Sequence, residues 1–234
     1  MAATSKLRLH WSPRSPFVRK VMIAAHELGL ADRIETTRTR VATNQVHKGL
    51  LSDNPLGKIP TLILNDGTIL YDSVVICEYL DSIAPKPKLF PPSGPARFQA
   101  LRRHALGNGY LDMLLMWRNE QGRAAPNPGM IEGCELKHAA TVQALEAEAP
   151  ALTRDDFGIG HIAIACALCY LDFRFDALQW RKGAPALTAW HAAAMARPSF
   201  LATPVVANTR RHAASAWHQR AAAARYPART ANLG

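Results

Sequence analysis

The sequence predicts an α/β domain followed by an all-helical domain. Two observations carry this prediction. The first 84 residues alternate short strand patterns with amphipathic helix patterns, whereas no convincing strand pattern occurs after residue 96. Between the two parts, residues 84–96 contain five prolines and a glycine, a density that regular secondary structure does not tolerate. A chain of 234 residues with 48% hydrophobic composition is long enough for two packed cores.

The first strand pattern is LRLHW (7–11), and a helix pattern follows it. Along the following stretch, apolar residues recur on one helical face at Val18, Val21, Met22, Ala25 and Leu28. Proline is favoured in a first helical turn and glycine just beyond a helix end, so Pro16 and Gly29 delimit this helix. Residues 33–41 are rich in Thr, Ile and Val and predict a second strand.

A β-hairpin is predicted next. The runs TLIL (61–64) and TILY (68–71) flank an Asn-Asp-Gly sequence, and Asp-Gly tolerates the positive φ angles of tight hairpin turns. The run DSVVICEYLDSIA then places Val75, Ile76, Tyr79, Leu80 and Ile83 on one side of a helix. With a further helix before the hairpin, the predicted order is β-α-β-α-β-β-α, which implies a mixed sheet covered by helices.

The second half of the chain predicts a helical bundle. Four long stretches have helical patterns, and they cover residues 97–123, 131–149, 159–180 and 185–196. The predicted organisation is an α/β domain, a Pro-rich linker, a helical domain and a basic tail, at residues 1–84, 85–95, 96–205 and 206–234.

The formal net charge of +10 is concentrated near the C-terminal end. No acidic residue follows Asp176, and eight basic residues do. The rest of the chain is nearly balanced, which is not typical of a fold built around nucleic acid. Two interpretations of the tail stay open: a solvated basic segment, or a surface that attracts anions.

Composition also argues against a membrane-spanning, secreted or disulfide-rich protein. No apolar run approaches the roughly 18 residues that cross a bilayer, and the N-terminus lacks the apolar core of a signal peptide, so we expect a cytosolic protein. Four cysteines are too few for a disulfide framework. Cys166 and Cys169 lie in a helical pattern without a second ligand pair, so two buried thiols explain them better than a redox or zinc site. We expect no metal.

Four motifs together resemble the cytosolic glutathione transferases, including bacterial members. They are SPFVRKV at the first helix, NPLGKIPTL before the hairpin, YDSVVICEYL at the third helix, and FGIGHIAIACALCYLDFRF in the helical half. The resemblance extends to about residue 205. It implies a thioredoxin-like N-terminal domain followed by an all-helical bundle, glutathione as co-substrate and a homodimer. No membrane or nucleic-acid partner is expected.

The resemblance also implies a glutathione site. Ser15, or alternatively Ser12, would donate a hydrogen bond to the glutathione sulfur, although simple capping of the first helix is another explanation for Ser15. The backbone of Ile59, before a cis Pro60, would pair with the peptide. The remaining expected contacts are to the α-ammonium group, the γ-glutamyl carboxylate and the glycyl carboxylate, from Asp72, Ser73, and Lys48, Gln45 or Lys58 respectively.

The electrophile pocket is expected between the first strand, the first turn of the first helix and the first helix of the bundle. Trp11 ends that strand, and Tyr110, Leu114 and Trp117 share one side of the bundle helix with Met113. An aromatic stripe at this spacing is also typical of a core, and that alternative stays open.

One motif departs from the family pattern. Many members open the long helix of the fourth motif with Ser/Thr-x-x-Asp, whereas this chain has Gly158 and His161 there. Glycine is a weaker N-cap, and Phe157 could pack against Ile162 as a hydrophobic staple. The departure puts the strength of the cap in question, and not the fold.

The predicted activity is transfer of glutathione to a hydrophobic electrophile, with a role in detoxification. Alternatives on the same fold are glutathione-dependent isomerisation, dehalogenation or peroxide reduction, and a non-enzymatic interaction protein. Residues 10–20 contain no cysteine, which disfavours thiol–disulfide exchange. DNA binding through the basic tail is a further alternative, and it would depend steeply on salt.

Overall fold

A computed structural model of the chain describes residues 6–42, 45–86 and 89–206. The first half follows the predicted order β-α-β-α-β-β-α. Its strands β1 to β4 are Leu7–Trp11, Ile34–Arg38, Thr61–Ile63 and Ile69–Leu70. Its helices α1 to α3 are Pro16–Glu27, Lys48–Leu51 and Ser73–Ile83. The fold is thioredoxin-like, as the sequence predicts.

The four strands form one mixed sheet in the order β2-β1-β3-β4. The pair β1 and β2 is parallel and therefore needs a crossover, which α1 supplies. The pairs β1–β3 and β3–β4 are antiparallel, and the hairpin turn uses Gly67 at a φ of 86°. This topology brings the C-terminal end of β1 and the N-terminal end of β3, the two central strands, to the same edge of the sheet, where the strands end.

The helix α1 is capped at both ends. Ser15 is its N-cap and Pro16 its first residue, as predicted. At the other end, the Gly29 N–H donates to His26 O and the Leu30 N–H donates to Ala25 O, at 3.1 and 2.8 Å. This is the Schellman arrangement, and Gly29 occupies its left-handed position with a φ of 69°.

The second half is helical, as predicted. Helices α4 to α8 are Gly94–Gln121, Pro128–Arg154, Ile159–Arg174, Pro185–Met195 and Pro198–Leu201. Because α4 begins at Gly94, its first two residues fall inside the predicted linker. The predicted basic tail lies outside the described residues except for Val206. In the described part of the chain, no helix is both long and apolar enough to cross a membrane.

The helices α4 and α6 cross closely at the centre of the bundle. A Cβ atom on Gly107 of α4 would lie 2.5 Å from the backbone carbon of Ala163. A Cβ atom on Gly160 of α6 would lie 2.5 Å from the Cβ of Arg103. The two glycines therefore set the spacing of these helices, since any side chain there would force the backbones apart.

The start of α6 explains the departure at Gly158 and His161. The Gly158 N–H donates to His161 Nδ1 at 3.1 Å, so the imidazole accepts the hydrogen bond that the aspartate carboxylate accepts in the family pattern. The linker carbonyl of Leu89 accepts the Ile159 N–H at 3.0 Å. A Cβ on Gly158 would lie 2.7 Å from that same oxygen, so glycine is required there. The Phe157 ring lies against that of His161 at a tilt of 32°, with centroids 5.3 Å apart.

The helix α1 also joins the two halves. Near its C-terminus, the Glu27 carboxylate accepts two hydrogen bonds from Arg197, at 2.9 and 2.7 Å, and one from the Ser199 hydroxyl at 2.6 Å. A bidentate pair of this kind fixes both position and orientation. It ties the thioredoxin-like half to the last helices of the bundle.

Candidate active site

Three of the predicted site residues lie in a row at one edge of the sheet. Continuing the β1–β3 register by one pair sets Trp11 opposite Pro60. Leu70 at the end of β4 pairs with Leu62 of β3, so Asp72, two residues beyond β4, follows the strand at the same end of the sheet as Pro60. The row lies where β1 leads into α1, so it adjoins the two serines of the first turn.

Ser15 caps α1 and keeps its own proton available. Its Oγ accepts the Val18 N–H at 3.3 Å, as an N-cap oxygen does. Within the part of the chain that the structure describes, no acceptor is assigned to the Ser15 hydroxyl proton. Ser12 lies one turn earlier, and its carbonyl accepts the Ser15 N–H at 3.2 Å. Capping and donation to a ligand are therefore compatible at Ser15.

The loop before β3 holds a cis peptide bond between Ile59 and Pro60, as predicted. Asn54, which is 1% exposed, organises this loop. Its side-chain amide donates to Lys58 O at 3.1 Å and to the Thr61 hydroxyl at 3.0 Å. Ile59 itself has no backbone hydrogen bond among those assigned in the described loop, so its N–H and C=O stay available for a peptide ligand. The sequence analysis missed Asn54.

Asp72 and Ser73 open α3. Asp72 is the N-cap, and its Oδ1 accepts the Val74 N–H at 2.9 Å. Ser73 is the first helical residue and is 1% exposed. No partner within the described residues is assigned to its backbone N–H, which is one of the donors that a helix N-terminus offers to anions. Ser73 can therefore bind an anion through its backbone without interrupting the cap.

The three candidates for the glycyl carboxylate are exposed. Lys48 is the first residue of α2, Gln45 precedes it in a short bridge to Ala42, and Lys58 lies in the Asn54 loop. None of the three is fixed by an assigned side-chain hydrogen bond within the described residues. They stay candidates by position.

The helical half contributes a further carboxylate, Asp112 of α4, which was not among the residues predicted from the sequence. Partial burial raises the pKa of Asp112, the nearby positive charge of Lys58 lowers it, and the Asp72 carboxylate raises it further. The charges of Lys58 and Asp72 in the thioredoxin-like half therefore act on the Asp112 carboxyl group. Asp72 and Asp112 together offer two negative charges to an ammonium group.

The buried Lys20 of α1 contacts α4. The Lys20 side chain is 0% exposed, and its Nζ lies 2.7 Å from Asn108 Oδ1 and 3.0 Å from His104 Nε2. Burial lowers the Lys20 pKa, while Asp72 and Asp112 favour its charged form. Burial, followed by the Lys20 charge, lowers the His104 pKa to about 3, so the imidazole is a neutral acceptor. This contact joins α1 to α4 behind the glutathione residues.

Three of the four residues predicted for the electrophile pocket lie in the bundle core. Tyr110, Leu114 and Trp117 are at most 4% exposed and belong to the bundle core. The Tyr110 hydroxyl lies 2.6 Å from His138 Nδ1, and the Trp117 ring lies 4.9 Å from that of Phe175. The stripe faces the neighbouring helices and not the cleft. Of the four, only Trp11, at the sheet edge, is partly exposed.

A cluster of three arginines lies beside the first turn instead, and we call it the arginine cluster: Arg14, Arg118 and Arg174. Arg118 Nη1 donates to the Tyr170 hydroxyl at 2.9 Å. The Arg174 guanidinium approaches the same hydroxyl and stacks 4.0 Å from the Phe173 ring centroid. Burial lowers the Arg174 pKa, and the charges of Arg118 and Arg14 act in the same direction. The sequence analysis missed this cluster because its members are far apart in the chain.

Burial raises the pKa of all four cysteine thiols, which makes them poor nucleophiles at neutral pH. All four are buried and unpaired. Burial raises the pKa of Cys77 to about 11 and that of Cys166 to about 12, so both are thiols at neutral pH. Over the described ranges, no group of three or more His, Cys, Asp or Glu side chains could hold a metal ion.

Comparisons with known proteins agree with this architecture. The family model of the glutathione S-transferase N-terminal domain matches residues 14–83. An Escherichia coli K12 protein described as the uncharacterized GST-like protein YibF is 30% identical over 201 residues, which cover 84% of this chain and 98% of YibF.

Two solved structures of a glutathione transferase family member from Pseudomonas fluorescens Pf-5 are also similar. One holds glutathione and has 39% identity and a TM-score of 0.83. The other holds S-(propanoic acid)-glutathione and has 38% identity and a TM-score of 0.79. In both comparisons the match covers 86% of this chain and all of the other.

Proposed function

Because this chain belongs to the glutathione transferase family, we propose that it stabilises the thiolate of bound glutathione and transfers it to an organic electrophile. The observation that carries the proposal is the geometry of Ser15. Its oxygen is used by the cap of α1, while its proton has no assigned acceptor in the described chain. The proton is therefore available to a sulfur anion that the first turn of α1 also attracts.

The energy required is modest. A thiol with a pKa near 8.5 is about 3% ionised at pH 7, and a pKa about two units lower makes it about three-quarters thiolate, at about 2.7 kcal/mol. A hydrogen bond to a charged group contributes about 1.5–3 kcal/mol, and the helix terminus adds about 0.3–1 kcal/mol. Ser15 together with the first turn of α1 can supply this stabilisation without a general base.

The remaining contacts follow the residues around the sheet edge. The free backbone of Ile59 would pair with the cysteinyl residue of glutathione as an added strand does. The Ser73 N–H at the start of α3 would bind the γ-glutamyl carboxylate. Asp72 would bind its ammonium group, and Asp112 adds a second carboxylate from the helical half. Lys48, Gln45 or Lys58 would bind the glycyl carboxylate.

The P. fluorescens relative holds a glutathione whose sulfur carries propanoic acid. Its site therefore has room for a substituent on the sulfur, and we expect the same of this chain. Conjugation fits a serine donor better than thiol–disulfide exchange, since the first turn offers no cysteine. No observation favours isomerisation, dehalogenation or peroxide reduction over conjugation. A homodimer and a cytosolic location stay predictions.

Calorimetry of glutathione binding between pH 5.5 and 8.5 tests the proposal. We expect the wild-type protein to release a proton on binding near pH 6–7. Ser15→Ala should lose most of that release, and kcat/KM for conjugation should fall about 10- to 150-fold, the equivalent of one charge-assisted hydrogen bond.

Ser12→Ala is the matched control, because it removes the neighbouring hydroxyl and leaves the α1 cap in place. If Ser12→Ala alone loses the proton release, Ser12 is the donor. Binding without proton release in the wild type would refute thiolate stabilisation. No binding of glutathione would favour an interaction protein of the same fold.

A further inference from the structure

The arginine cluster gathers three positive charges without an anion among the described residues. None of the three forms an ion pair with a carboxylate in the described chain. The Arg118 guanidinium has neutral partners, the Tyr170 hydroxyl and the Asn119 side-chain oxygen. Arg174 Nε is buried and has no hydrogen-bond partner there. Gathering like charges in a partly desolvated place is unfavourable unless something negative joins them.

Ordinary structural roles do not explain the whole cluster. Arg174 ends α6, where a cation interacts favourably with the helix dipole, and Arg118 lies in the last turn of α4. Arg14, however, lies in the loop before α1 and has no helix end to complement. All three side chains are partly exposed, so a molecule in the cleft can reach them.

The cluster also lies where an electrophile must bind. Arg14 directly precedes Ser15, so their Cα atoms are about 3.8 Å apart. The other two members come from α4 and α6; α6 packs against α1, and the charge of Arg14 acts on Arg174 at the end of α6. An anion held by this cluster would therefore lie next to a sulfur bound at Ser15.

We propose that the electrophile is an organic carboxylate whose carboxyl group is bound by Arg14, Arg118 and Arg174 around Tyr170. Planar guanidinium groups match a carboxylate with paired hydrogen bonds. The Phe173 ring, on which Arg174 stacks, offers apolar surface for the carbon skeleton. The proposal rests on the proposed transferase function and replaces the expected hydrophobic electrophile by an anionic one.

The test uses two probes with the same reacting carbon, 4-chloro-3,5-dinitrobenzoate and its methyl ester. In both, the thiolate forms a C–S bond at the carbon that bears chlorine, and chloride leaves with the electron pair of the C–Cl bond. Enzymatic kcat/KM is divided by the uncatalysed rate constant of each probe, which removes their difference in intrinsic reactivity.

We expect the wild type to favour the acid, with a KM that rises with ionic strength. Arg174→Met and Arg118→Met should each lower kcat/KM for the acid about 10-fold or more and leave the ester within about 2-fold. Arg102→Met is the control, because it removes one positive charge from α4 at a point 16 residues, or about 24 Å, from Arg118. It should change neither probe.

Circular dichroism and thermal unfolding verify that each variant is folded, and Arg14→Met, in a loop, replaces any variant that is not. An equal loss for acid and ester would overturn the proposal, since it would indicate a structural role. A normalised preference for the ester would also overturn it and leave the transferase function intact. If neither probe is turned over, both the anionic-electrophile proposal and the proposed transferase function are contradicted.

Discussion

His161 provides the hydrogen-bond acceptor at the start of α6 that the aspartate of the Ser/Thr-x-x-Asp pattern supplies in many family members. Its Nδ1 accepts the buried Gly158 N–H, while burial, followed by the charge of Arg103, lowers the His161 pKa to about 4. A neutral imidazole is required, because a protonated ring would present a donor to a donor. The side chain therefore couples the start of α6 to its own protonation state.

The first prediction at this scale compares two substitutions of His161 at pH 7.5. His161→Leu leaves the Gly158 N–H without a partner and should lower the free energy of unfolding by about 1–3 kcal/mol. His161→Asn keeps an acceptor oxygen near the same position and should recover at least half of that loss. Urea denaturation measures both, and equal losses in the two variants would contradict the capping role.

Individual residues also show what sequence reasoning can and cannot reach. Ser15 and Asp72 have side chains that commonly cap helices, so their positions at helix starts could be predicted. The cis bond at Pro60 could be predicted only from the resemblance of its segment to the family motif. The requirement for glycine at residue 158 depends on the Leu89 carbonyl, which only the folded linker brings there. Asp112 and the arginine cluster depend in the same way on how distant elements meet.

At the scale of elements, the crossing of α4 and α6 decides which faces are buried. The periodicity of α4 identified an apolar stripe correctly but could not say whether it faces the cleft or the bundle. The stripe at Tyr110, Leu114 and Trp117 faces the bundle because α4 packs against both α5 and α6. Which way the apolar face points depends on the helices packed around α4, and the sequence pattern of one helix does not include that information.

This crossing gives a matched pair of substitutions on one helix. Gly107→Ala places a methyl group against Ala163 and should lower the free energy of unfolding by about 1–3 kcal/mol. Gly109→Ala meets no atom within 4 Å and should instead stabilise α4 by up to about 1 kcal/mol. Urea midpoints of the two variants on opposite sides of the wild type would confirm that packing outweighs helix propensity at Gly107.

At the scale of the whole molecule, buried histidines make stability depend on pH. Burial is the main cause that lowers the pKa of His104 to about 3 and those of His161 and His191 to about 4. An unfolded histidine has a pKa near 6.5, so below that pH the unfolded chain binds protons that the folded chain does not. Stability is therefore fully present above about pH 7 and is lost as the pH falls.

We expect the free energy of unfolding to be level between pH 7 and 8 and to fall by about 1–2 kcal/mol per buried histidine by pH 5. Urea denaturation at a series of pH values measures this slope. His161→Asn should reduce the slope by about a third, because it removes one of the three buried histidines. His47→Asn changes an exposed histidine and should leave the slope unchanged. A profile that stays level down to pH 5 in the wild type would contradict the expectation.

The three contacts of α1 with the rest of the molecule constrain how such chains can recombine. Ser15 at its start is available to the ligand. Lys20 donates a hydrogen bond to Asn108 of α4, and Glu27 binds Arg197 near the end of the bundle. A chimaera joined at the proline-rich segment would leave Lys20 and Glu27 facing foreign side chains. A viable exchange of halves between relatives must therefore carry the partners of α1 with it, and a convenient linker alone does not make the halves interchangeable.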